Sequence, residues 1–122
     1  MRALYFISLF LLTAMSWAAA REWKVVAESM KCKNQYQVLA KDGEKHVFMM
    51  NNGQKIRLNS IDGSAYSDDG SKPQVFSNLQ DETLSADEPR YSYTRPAVFD
   101  GNPPKIDIIM NGEKINCKML LK

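Results

Sequence analysis

Apolar and polar residues alternate along most of the chain in short runs, and nowhere do apolar positions recur at helical spacing over three turns. The runs are punctuated by turn sequences: KDGE at Lys41–Glu44, NNGQ at Asn51–Gln54 and NGE at Asn111–Glu113. Asp-Gly and Asn-Gly pairs tolerate the positive φ values that two-residue hairpin turns demand, so each is read as a hairpin.

A two-residue turn fixes which residues oppose each other, and side chains on a strand alternate between its faces. Centred on Asn52-Gly53, the second hairpin sets Met49 opposite Ile56 and Val47 opposite Leu58. Centred on Asp42-Gly43, the first sets Val47 opposite Val38 and Met49 opposite Tyr36. The two turns independently collect Tyr36, Val38, Val47, Met49, Ile56 and Leu58 on one face, which is the expected core face. The third hairpin pairs Ile108 with Ile115 and Ile106 with Cys117, and the same face continues to Met119 and Leu121. Further strand-like runs at Trp23–Met30, Gln74–Leu79 and, more weakly, Arg90–Thr94 bring the total to about eight. Eight short antiparallel strands predict an all-β fold, a small antiparallel β-barrel, with a two-sheet sandwich as the alternative.

The opening residues change the picture of where this domain works. Met1 and Arg2 precede the apolar run ALYFISLFLLTAM and then SWAAA, with small residues Ala18 and Ala20 at a cleavage site. This pattern predicts a signal peptide at 1–20 and a mature chain that is periplasmic or secreted, without a membrane anchor. Removing residues 1–20 from 122 leaves 102, enough for a single β-barrel domain over 21–122. Within it, 80–104 holds four of the five prolines and is read as a Pro-rich insertion loop. In an exported chain the two cysteines, Cys32 and Cys117, are expected to form one disulfide joining the start and end of the domain.

Charge and chemistry narrow the function mainly by exclusion. With Arg2 removed, 15 basic residues face 14 acidic ones, so no whole-protein field draws nucleic acid or an anionic membrane. The single histidine, His46, falls on the outer face opposite Leu39 and beside Phe48, with no nucleophile–base pair in view. One histidine and two oxidised cysteines cannot supply a zinc site, and DGSAYSDDG lacks the spacing of a calcium loop. No catalytic residue, metal or cofactor is therefore assigned. Aromatic and basic residues interleave at RYSYTRP, where Arg90, Tyr91, Tyr93 and Arg95 offer a stacking platform for a small ligand or glycan.

The order of features carries a family resemblance. A Cys opens the first hairpin in MKCKNQYQV, and a central hairpin ends in QKIRL. The loop IDGSAYSDDG, the aromatic strand QVFSNL and the Cys-bearing closing strand NGEKINCKM then follow. This order resembles the periplasmic and membrane-bound inhibitors of C-type lysozyme, small exported bacterial β-barrel proteins, over most of residues 30–79 and 105–119. The resemblance implies a non-enzymatic binding protein whose partner is a lysozyme-like cell-wall hydrolase. Two barrel loops would enter the enzyme cleft, a Ser of the first and a Lys of the second addressing its catalytic carboxylates. On this chain the implied partner-binding residues are Ser60, Asp62, Gly63, Ser64, Tyr66, Ser77 and Asn78. Asp62 stands at the Ser position and Asn78 at the Lys position.

Overall fold

A computed structural model of the chain describes residues 22–122, so the leader read at 1–20 lies outside the described residues. The eight strands are β1 (Lys24–Ser29), β2 (Tyr36–Ala40), β3 (His46–Asn51), β4 (Gln54–Ser60), β5 (Gln74–Ser77), β6 (Arg90–Arg95), β7 (Lys105–Met110) and β8 (Glu113–Leu121). They pair antiparallel in sequence order, and β1 closes on β8 through Ala27–Leu121, Glu28–Leu120 and Ser29–Met119. The fold is thus a closed eight-stranded antiparallel β-barrel, and a disulfide links Cys32 to Cys117. Closure leaves no long free edge at the first and last strands.

Alternation decides what fills the barrel. Val38, Val47, Met49, Leu58, Phe76, Tyr93, Ile106 and Met119 point inward and are fully buried. A β-bulge between Val25 and Ala27 turns both Val26 and Ala27 into the interior. The inner row runs out at the two ends of β8, where Ile115 and Leu121 are each 52% exposed.

Two hairpins have the expected register. Met49 faces Ile56 and Val47 faces Leu58, while Ile108 faces Ile115 and Ile106 faces Cys117. Asn52 and Asn111 adopt φ of 50° and 52°, as such turns require. The β2–β3 register differs from expectation: Val38 faces Met49 rather than Val47, and Tyr36 faces Asn51. The Lys41–Glu44 turn closes through the Glu44 N–H on the Lys41 carbonyl at 3.1 Å. Only Gly43 of the Asp42-Gly43 pair takes a positive φ, however, so it is not the two-residue hairpin turn that would set the expected register. The loop also bonds to Tyr66, through Gly43 N–H to the Tyr66 carbonyl at 2.9 Å and Tyr66 N–H to the Glu44 carbonyl at 2.8 Å. A shift of two residues preserves the faces, so the core prediction is unaffected.

The same shift puts Phe48 rather than His46 opposite Leu39, while on its other side His46 faces Asn59 of β4. On the outer face, Phe48 is covered by Trp23 and His46, whose ring centroids lie 4.9 and 5.1 Å away, and Lys55 sits 4.2 Å above its ring. Residues 80–104 contain β6, so that stretch comprises two connections on opposite sides of a fully paired strand.

Candidate functional site

The loop between β4 and β5 has a free tip and a fixed base. At the tip, Ile61 is 65% exposed, and Asp62, Gly63 and Ser64 are also exposed. One oxygen of Asp62 gathers the tip: it accepts from the Ser60 hydroxyl at 2.9 Å, the Ser64 N–H at 3.0 Å and the Ser64 hydroxyl. These donors stabilise the carboxylate, chiefly the Ser64 hydroxyl and N–H and then Ser60, and bring the Asp62 pKa down to about 2. The tip is therefore a preordered, negatively charged turn rather than a floppy segment.

The base is held from inside the barrel. Tyr66 is buried against Phe76, with ring centroids 6.4 Å apart, and closes this end of the barrel. Burial, helped by the neighbouring Asp68 carboxylate and opposed by Arg95, pushes its phenol well above the usual tyrosine range. Arg95 is itself buried, stacks 5.3 Å from the Tyr66 ring, and donates to the Ser67 and Asp68 carbonyls at 2.6 and 3.0 Å. Asp68 also pairs with Lys24 at 2.9 Å, and that ammonium is the main reason its carboxyl pKa is lowered.

The implied partner-binding residues divide accordingly. Ser60, Asp62, Gly63, Ser64 and Tyr66 share the one loop, Tyr66 as its plug. Ser77 lies on the neighbouring strand opposite Asn59, with Phe76 opposite Ser60, so it flanks the foot of the loop and not its tip. Asn78 is buried: its side-chain oxygen accepts the Tyr91 N–H at 2.7 Å and its own N–H reaches the Tyr91 carbonyl at 3.1 Å. Its side chain continues the β5–β6 ladder, so it is not presented beside Asp62.

The platform Arg90, Tyr91, Tyr93 and Arg95 is also divided. Tyr91 and Tyr93 share the inner face, and burial raises the Tyr93 pKa to about 12. Arg95 fastens the loop base at one end of the barrel, while Arg90 reaches the Ser85 and Leu84 carbonyls at the other, at 3.4 and 3.3 Å. Among the described residues, no group of three or more His, Cys, Asp or Glu is placed to hold a metal.

Sequence reasoning did not single out the short turn Val98–Asp100 after β6. There Val98 and Phe99 are 63% and 82% exposed, and the turn is joined to the β4–β5 loop by the Val98 N–H to the Gly70 carbonyl at 2.9 Å. Phe99 lies in a Pro-flanked connection without alternation, so no periodicity marks it. Ile61 and Phe99 thus stand on two linked loops at the same end of the barrel. We found no match to this chain among protein-family models, curated proteins or solved structures.

Proposed function

We propose that the protein is a non-enzymatic binding protein of the cell envelope whose Ile61–Ser64 tip enters the cleft of a lysozyme-like muramidase. The observation that carries this reading is the exposed tip organised around Asp62 on a base locked by Tyr66 and Arg95. A loop ordered before it binds loses little conformational freedom on association, which is where most flexible binders lose affinity. The disulfide is compatible with an exported chain.

Asp62 has a defined part in this reading. Glycoside hydrolases of this kind hold one catalytic carboxyl protonated as the general acid. A carboxylate entering the cleft accepts that proton in a hydrogen bond and occupies the place of the substrate oxygen. Ile61 and Phe99 supply the apolar anchors beside it. The reading predicts that residues 21–122 slow lysozyme clearing of cell walls at stoichiometric ratios, more strongly as pH falls toward the pKa of the general acid. Clearing that is unchanged at large excess sinks it for the enzyme tested.

A further inference from the structure

At the disulfide end of the barrel the inner-face residue Ile115 is 52% exposed although its cross-strand partner Ile108 is buried. An apolar side chain on the core face with nothing over it marks an unfilled position. It opens into a cleft of about 410 Å³ between the Lys31–Asn34 segment and the β7–β8 hairpin. The volume lies within the roughly 300–1,000 Å³ of small-molecule sites.

The lining has a definite polarity. Tyr36, Tyr91, Ile108 and Ile115 form apolar walls, while Lys31 and Lys33 stand on the rim. No carboxylate lines the cleft, and among the described residues neither lysine has an acidic partner within salt-bridge distance. Asn51, also on the wall, has a buried side-chain oxygen with no hydrogen-bond partner. The disulfide fixes the shape of one wall by tying Cys32 to Cys117, both of which line the cleft.

We infer that this mouth is a binding site for a small amphipathic anion, its apolar body against Ile108, Ile115 and Tyr91 and its carboxylate or similar head group at Lys31 and Lys33. The site lies at the opposite end from the Asp62 tip and does not depend on what that tip binds. The interior above it is filled, so the ligand sits in the mouth rather than inside the barrel.

Decanoate and decanol serve as matched probes, differing in the head group's charge. Titrated into residues 21–122 with isoleucine methyl groups followed by NMR, decanoate should give saturable shifts at Ile108 and Ile115 and bind about tenfold more tightly than decanol, given two exposed ion pairs. The double substitution Lys31→Gln/Lys33→Gln should erase that difference, and Ile115→Trp, which fills the mouth from an exposed position, should weaken decanoate at least about tenfold without lowering the melting temperature. The inference is overturned if neither probe saturates, if both bind equally to the unsubstituted protein, if the shifts fall at Ile61 instead, or if the mouth is closed by a concentration-dependent dimer.

Discussion

Gly70 and Val98 are in contact across two loops: the Gly70 carbonyl accepts the Val98 N–H at 2.9 Å, and a Cβ on Gly70 would overlap Val98 Cγ2. The contact makes the β4–β5 loop and the Phe99 turn one surface. Gly70 also sits at φ +68°, where a side chain is strained. Gly70→Ala should destabilise the protein by about 2 kcal/mol through that strain and the clash together, read as a lower urea midpoint at unchanged slope. Adding Val98→Ala removes the clashing methyl and should return part of the loss, leaving the backbone strain.

Arg95 provides a second, independent test of the loop base. Its guanidinium joins β6 to the Ser67 and Asp68 carbonyls and is almost entirely removed from solvent. Arg95→Met keeps much of the volume but leaves those carbonyls without their donor, at a cost of about 1–3 kcal/mol. Amide exchange should quicken over residues 66–70 and remain slow in the β7–β8 hairpin. A ligand-contacting arginine would show neither effect.

What could be read from sequence followed from how local each determinant is. The Asn52-Gly53 and Asn111-Gly112 turns carry their own registers, so Met49–Ile56 and Ile106–Cys117 were legible from a few residues each. The Asp42-Gly43 turn was misread because its loop is also anchored by two backbone hydrogen bonds to a distant residue, Tyr66. The tip Ile61–Ser64 was legible as a presented loop from its Asp, Gly and Ser content. The separation of Asn78 from Asp62 was not, because it depends on β5 being only four residues long and on the amide of Asn78 continuing the ladder to Tyr91. The inward clasp of Arg95 was hidden for a related reason: an arginine in a strand beside tyrosines has the composition of a binding surface whichever way it faces.

Asp62 should make the tip sensitive to acid. Its folded pKa is lowered to about 2, below the ordinary value of 3.8, so its stabilising effect is complete above pH 3.8 and is lost as pH falls through about 2. The chemical shift of the Ser64 amide proton should therefore hold steady down to about pH 4 and titrate only as pH falls toward about 2, with strand amides unmoved. Asp62→Asn, which cannot carry the charge, should flatten this dependence.

The disulfide closes a loop with a sequence separation of 85. Replacing Cys32 and Cys117 together by Ser should cost up to about 4 kcal/mol, most of it through the freed unfolded chain. Denaturation of the double variant against the parent under identical oxidising conditions checks the value. Because Cys117 is buried and faces Ile106, part of any excess loss is packing.

On the proposed function, the Asp62 end of the barrel engages a lysozyme-like enzyme. The decisive experiment titrates C-type lysozyme, in a cell-wall clearing assay, with residues 21–122, with the double variant Ile61→Ala/Phe99→Ala, and with Leu120→Ala as an exposed control elsewhere. The parent and Leu120→Ala should inhibit stoichiometrically, and the double variant should inhibit at least about tenfold more weakly. Full clearing in the presence of excess parent protein, or a double variant as inhibitory as the parent, would contradict it.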